Sequence, residues 1–372
     1  MPRPDEEFQI RFLESLLRIY SPTGSEGEIS EYLKERFNEL GYNKVRVDRA
    51  RNVIGELGDG GNAILFCGHM DTVPGELKVG LENGKLYGRG AVDAKSSLAA
   101  MIMAPILKDD EIPCKVIVAA VTDEEGDGEG IKELVSSGVR GDCNIFGEPS
   151  GLRNITVGYR GKVAFTVKVR SRGGHSGAPW KFENAIECCF DFLNSVREEL
   201  KTAVLSQGHF YTATASPNMI RGGRARNVTP EFCEMYVDVR VPPGISTRKI
   251  VELVELVRER YVASSNSEII LEFSNDYVEP YETDRTSLSL RALMRAILEV
   301  LGGPVRLVKK TGTGDMNVFA NLTGAHAVSY GPGNPLLSHT ELEFVEIDEY
   351  LSSIKVLSNT IKQFSRIVSS YY

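Results

Sequence analysis

Three apolar runs in the first half of the chain each end on an acid or an imidazole. AILFCGHMDTVP (63–74) presents His69 and Asp71, VIVAAVTDEEG (116–126) presents Glu124 and Glu125, and CNIFGEPS (143–150) presents Glu148. Each run reads as a buried strand. Ahead of them the chain reads helix, break, helix. In SEGEISEYLKERFNELG (25–41) the apolar positions Ile29, Leu33, Phe37 and Leu40 mark one helical stripe, and Gly41 is a C-terminal stop. ENGK (82–85) predicts a tight hairpin turn between LKVGL and LYGRG. The alternation of strands and helices up to about residue 150 predicts a mostly parallel sheet with helices on its faces.

From about residue 156 the pattern changes. GYRGKVAFTVKVRS alternates as a long strand, and ENAIECCFDFLNSVREEL (183–200) is helical. FYTATASPNMI and CEMYVDVRV follow as strands, then a helix at STRKIVELVELVRERYV and a strand at SEIILEFS. That β-α-β-β-α-β order is the ferredoxin-like split βαβ, a complete small domain. After residue 276 the α/β pattern resumes with a helix (286–301), two short strands around 304–330 and a long C-terminal helix (346–368). The expected fold class is α/β, with an α+β domain at 158–276 inserted between the halves 1–157 and 277–372 of a discontinuous domain.

Composition narrows the function classes. With 42% hydrophobic and 25% charged residues the chain suits a folded soluble protein, not a disordered one. No apolar run approaches the ~18 residues of a membrane span. The acidic, polar opening MPRPDEEFQI is unlike a signal peptide, so a cytoplasmic address is the expectation. Cys67, Cys114, Cys143, Cys188, Cys189 and Cys233 form no CxxC pair and read as reduced core thiols. A net charge of −8 argues against nucleic acid and anionic membrane as partners. Two basic clusters stand out: Arg153, Arg160, Lys162, Arg170 and Arg172, and Arg221, Arg224 and Arg226. They read either as solvated faces or as a local patch for an acidic substrate. Trp180, the only tryptophan, is expected to serve packing.

The strand ends carry the chemistry. Side chains at the carboxyl ends of neighbouring strands in an open α/β sheet converge on one crevice. A crevice with an imidazole and several carboxylates is an oxygen-and-nitrogen metal site. In GHMDTVP the two-residue strand period puts His69 and Asp71 on one side, so His69 could ligate while Asp71 orients its ring. A satisfied structural histidine is the alternative. Asp93 precedes an apolar helix in LYGRGAVDAKSSLAAMIMA, where it would cap the helix or ligate; Gly88 and Gly90 suit an unusual backbone path there. In DEEG (123–126) one acid could ligate and its neighbour act as a base, and LLSHTELEF adds His339.

These segments, in this order, resemble the di-zinc aminoacylase and carboxypeptidase family, which includes acetylornithine deacetylase and succinyl-diaminopimelate desuccinylase. The resemblance covers essentially the whole chain. It implies two divalent ions, zinc or cobalt, bridged by Asp93, with His69 and Glu148 completing one site and Glu125 and His339 the other. It makes Glu124 the general base and puts a cis peptide at Asp93–Ala94. By the same resemblance the inserted domain is a lid and dimerisation domain. His175 in RGGHSGAPW would reach across a homodimer interface to stabilise the oxyanion. Asn227 and Arg240 would position substrate, and Gly312, Thr313 and Gly314 in TGTGDMN would receive its α-carboxylate, although relatives of this type carry serine where this chain has Gly314. His209 and His326 match no ligand and are expected to be structural or superficial.

GHMDTVPG, GRGAVDAKSSLAA, GEPSG with ITVGYRGK, and KTGTGDMN through YGPGNPLLSHT are most similar to the hydrolases that release lysine or ornithine from an amino-group carrier protein. That similarity implies an acidic carrier as substrate, cut at its C-terminal glutamate in lysine or arginine biosynthesis. N-acetylornithine, N-succinyl-diaminopimelate or a peptide are the alternative substrates, and a binding protein without activity is the reading from another class.

Overall fold

A computed structural model describes residues 4–107, 112, 114–203 and 208–370. The chain divides into two compact units, one of residues 1–158, 283–309 and 314–372, the other of 159–282 and 310–313.

The first unit is built on a mixed α/β sheet. Its strands run in the order Asn43–Val47, Val53–Leu57, Lys115–Val121, Ala63–His69, Cys143–Gly147, Ala327–Tyr330 and Asn154–Tyr159. Lys115–Val121, Ala63–His69, Cys143–Gly147 and Ala327–Tyr330 are mutually parallel, and the outer pairings are antiparallel. The central strands are buried on both faces, which explains their unbroken apolar runs. Helices Glu6–Arg18, Gly27–Glu39, Lys95–Met103, Leu288–Leu301 and Ile347–Ser369 contribute Leu13, Leu16, Leu33, Phe37, Leu293, Ile354 and Phe364 to one core. The stripe of the second helix is as patterned: Ile29, Leu33 and Phe37 are fully buried, and Gly41 sits at φ 85 just beyond its end. Asn83 and Gly84, both at positive φ, turn the hairpin Gly80–Glu82 to Lys85–Tyr87. No described helix is long and apolar enough to cross a membrane.

The second unit carries a four-stranded antiparallel sheet in the order Thr214–Gly222, Phe232–Val241, Gly161–Arg170, Glu268–Phe273. Helices Ala185–Lys201 and Thr247–Ser264 pack with it around Phe165, Phe192, Leu193, Val237 and Val254. In chain order these elements are β-α-β-β-α-β. All six cysteines are buried and outside any disulfide, three in each unit.

Three expectations are corrected. Between Arg306–Lys310 and Ala327–Tyr330 lies a helix, Asp315–Thr323, which the sequence reading passed over. It is short, ends at Gly324 and mixes valine, threonine and asparagine into its turns, so its propensity signal is weak. Trp180 does not pack: it is 79% exposed in the turn Pro179–Lys181. The first basic cluster is not one surface. Arg160 is buried and donates to the carbonyls of Thr212 and Arg240 and to Thr214 Oγ1. Arg153 donates to the carbonyls of Leu301 and Gly302, and Lys162 pairs with Asp276, leaving only Arg170 and Arg172 exposed without such engagements among those five.

Candidate metal centre

Strand register brings the acids together. His69 lies level with Val121 in one parallel neighbour, and Cys67 with Phe146 in the other. The turn after Val121 and the residue after Gly147 therefore emerge beside His69, delivering Glu124, Glu125 and Glu148 to one edge of the sheet. Asp93 comes from the turn before Lys95–Met103. The N-cap position of that helix is Ala94, not Asp93. The Asp93–Ala94 peptide is cis, and Gly88 and Gly90 upstream adopt φ 153 and φ 86. His339 arrives from the turn after Pro335–Leu337.

Two donor sets result, His69 with Asp93 and Glu148, and Asp93 with Glu125 and His339. Within each set the ligand atoms lie within 4.8 Å of one another. Asp93 divides its carboxylate between them: Oδ1 is 3.3 Å from His69 Nε2, and Oδ2 is 3.4 Å from His339 Nε2. Glu148 Oε1 is 3.8 Å from His69 Nε2, and Glu125 Oε1 is 2.8 Å from His339 Nε2. Imidazole and carboxylate donors in this ratio suit zinc-like divalent ions, and the sharing of Asp93 suits two of them.

Asp71 does more than the sequence reading gave it. His69 Nδ1 lies 3.0 Å from the Asp71 carbonyl and 3.4 Å from its carboxylate. The same carboxylate accepts from Thr23 Oγ1 (2.8 Å) and from the backbone amides of Glu124 (3.2 Å) and Glu125 (3.1 Å). A hydrogen bond to a charged group contributes about 1.5–3 kcal/mol, against about 1–2 kcal/mol to order one backbone residue. Asp71 therefore fixes both the ring of one histidine and the turn that carries two glutamates. Burial raises its pKa, but the bonds from His69, Thr23 and the Glu125 amide outweigh burial and hold it below its ordinary value.

The surrounding groups show how strongly the crevice draws positive charge. His339 is pushed up to about 10 by Asp93 and then Glu125. Burial opposes a charged His69, yet Asp71 and Asp93 raise it well above its ordinary value. A cation bound here would displace those protons. Glu124 is raised well above the carboxylate range by burial and then by the charge of Glu148. Asp315, unremarked in the sequence, is buried at the start of its helix and likewise raised by burial, with Asp71, Glu148 and Asp123 adding to it. Lys95 is buried, donates to the carbonyls of Leu16 and Ile19, and is lowered to about 7 by burial. Arg89 and Glu343 form a buried ion pair at 2.8 Å beside the Asp93 turn. It has no signature in the sequence pattern, because its partners lie 254 residues apart.

The remaining candidates fall elsewhere. His175 and Asn227 come together in the second unit, where Gly174–His175 pairs antiparallel with Val228–Thr229 and the Ser176 amide donates to the Asn227 carbonyl at 3.1 Å. Both are exposed. Arg240 lies in the same unit and its Nε donates to Asp238 Oδ1 at 2.8 Å. Gly312 and Thr313 also belong to that unit, while Gly314, with extended backbone, caps Asp315–Thr323 in the first. His209 and His326 are exposed, and neither belongs to a donor set.

Comparison with known proteins follows the same lines. A Pyrococcus abyssi protein provisionally named LysW-lysine/LysW-ornithine hydrolase is 37% identical over 369 residues, covering 97% of this chain and 95% of its own. The LysW-lysine/LysW-ornithine hydrolase of Sulfurisphaera tokodaii is 30% identical over 348 residues, covering 94% and 93%. The crystal structure of aminopeptidase PepT from Bacillus cereus shares the fold with a TM-score of 0.82 at 22% identity, covering 97% of this chain and 99% of that one. Residues 65–363 match the description of peptidase family M20/M25/M40, and the chain belongs to that family.

Proposed function

We propose that this chain is a two-metal amide hydrolase that releases lysine or ornithine from the C-terminal glutamate of an acidic amino-group carrier protein. The observation that carries the chemistry is the division of the Asp93 carboxylate between two complete donor sets. The names of the relatives support the substrate. His69, Asp93 and Glu148 would hold one ion and Asp93, Glu125 and His339 the other, with zinc or cobalt fitting these donors. Bound there, the ions polarise the amide carbonyl and lower the pKa of a water molecule. Glu124, in neither donor set, takes the proton of the attacking water on its carboxylate and passes it to the leaving amine. Arg240, Asn227 and the 312–314 segment bind the carboxylate of the amino acid, for which an arginine fork is suited.

The test is purified enzyme on carrier-linked lysine, carrier-linked ornithine, N-acetylornithine and N-succinyl-diaminopimelate, with zinc and cobalt compared. Carrier substrates should turn over fastest; preference for either small substrate overturns the assignment. Docking of an acidic carrier draws on the exposed Arg221, Arg224 and Arg226. Charge reversal at Arg221 and Arg226, or raised salt, should lower turnover of the carrier substrate by about tenfold and spare N-acetylornithine. Equal effects on both substrates would remove the docking role.

His175 supplies the oxyanion donor from a second copy of the chain in this reading. His175→Ala should leave a dimer by light scattering and lower kcat by about 10²–10³-fold. A monomer with full activity, or a variant of normal rate, rejects this role.

A further inference from the structure

The two halves of the centre are held by different means. His69 is 2% exposed and braced by Asp71. The His339 side chain is 48% exposed, and its backbone sits at φ 64, in the left-handed region that a β-carbon disfavours. Packing alone does not fix such a residue against Asp93, so its position depends on hydrogen bonds made by the segment that carries it.

Arg89 and Glu343 supply them. Glu343, 1% exposed, accepts the amides of Val92 (2.9 Å) and Asp93 (3.0 Å) on Oε1 and Arg89 Nη1 (2.8 Å) on Oε2. The same Nη1 donates to the carbonyl of Thr340, the residue after His339, at 3.1 Å. Arg89 Nε donates to the Gly75 carbonyl at 2.8 Å, downstream of the His69–Asp71 strand end. The Gly88 amide closes the circuit on the Glu343 carbonyl at 3.3 Å. One buried ion pair therefore ties the backbone amide of Asp93 to the backbone carbonyl of Thr340, the residue after His339.

We propose that Arg89 and Glu343 are positioning residues that fix Asp93 and His339 at their mutual distance, so that the Asp93–Glu125–His339 half depends on them more than the His69–Asp93–Glu148 half. This rests on Asp93 being the shared ligand of two ions. Glu343 orients Asp93 through its amide without touching its carboxylate. Arg89 pins the turn that holds His339 in its disfavoured backbone conformation. The His69 half keeps Asp71 and its burial whatever happens to the pair.

Calorimetric titration of the metal-free protein with zinc, and with cobalt followed by visible absorption, reads the two ions separately. Removing one partner strands a buried charge, so the paired change Arg89→Met with Glu343→Gln is the first variant; glutamine keeps an oxygen for the Val92 and Asp93 amides. The second ion should bind about 10–100-fold more weakly while the first keeps its affinity, and the cobalt band of the second equivalent should shift. Arg89→Lys is the second variant: it preserves the charge beside Glu343 and loses the fork that reaches Thr340 and Gly75 together. It should also weaken the second ion. If wild-type protein binds two ions and both variants match it, the positioning role is overturned. If wild-type protein binds fewer than two, the two-ion reading falls and takes this inference with it.

Discussion

Replacing Glu124 with glutamine should leave both ions bound and lower kcat by about 10²–10⁴-fold, the contribution typical of a positioned general base. The amide has nearly the shape of the acid and cannot take up the water's proton. The turn should survive the change, because Asp71 holds it through the backbone amides of Glu124 and Glu125, not through the Glu124 side chain. Burial and the charge of Glu148 raise the Glu124 pKa in the metal-free protein, and bound cations act in the opposite direction. The base works deprotonated, so kcat should rise with pH through its ionisation in the wild type, and that limb should vanish in the variant. The matched control is Glu125→Gln, which removes a donor beside His339 and should lower metal content as well as rate. A Glu124→Gln enzyme that keeps half its activity at full metal loading sinks the assignment.

How much of this was legible in the sequence depends on where each group sits. Glu124, Glu125, Glu148 and His69 follow apolar runs that form the parallel core of the sheet, so their convergence follows from strand direction alone. Asp93 and His339 follow no such run. Pattern leaves Asp93 open as a helix cap or a ligand and adds His339 only as a further donor from far along the chain, and only the resemblance assigns them to two sets. Asp71 was read as a partner of His69, but its grip on the 124–125 amides has no signature in side-chain pattern, because the donors are backbone groups every residue carries. The basic cluster around residues 153–172 failed for a related reason. Basic residues close in sequence need not share a face: Arg160 turns inward to backbone carbonyls and Arg153 to a helix end. Trp180 failed because composition favours burial of tryptophan, while a proline-led turn holds it outward.

Replacing Asp93 with alanine should have the largest effect, because it takes one donor from each half of the centre at once. His69 and Glu148 would remain on one side and Glu125 and His339 on the other, below the three protein ligands usual at catalytic zinc sites. Metal content after gel filtration should fall from two ions per chain to nearly none, and turnover by at least about 10³-fold as carbonyl polarisation and water activation are lost together. Glu148→Ala and His339→Ala each leave the other half with its three donors and should retain one ion, so stoichiometry separates a shared ligand from an ordinary one. Misfolding is separated from metal loss by the melting temperature. In the metal-free crevice Asp93 pairs with His69 and His339 and raises the pKa of both, so its loss should cost the metal-free protein some stability while leaving a cooperative melt. The rise in melting temperature that zinc gives the wild type, which follows from binding to the folded state alone, should disappear. An Asp93→Ala protein that still binds one ion with wild-type affinity would show that Asp93 serves a single ion, and the shared carboxylate on which the two-ion mechanism depends would have to be abandoned.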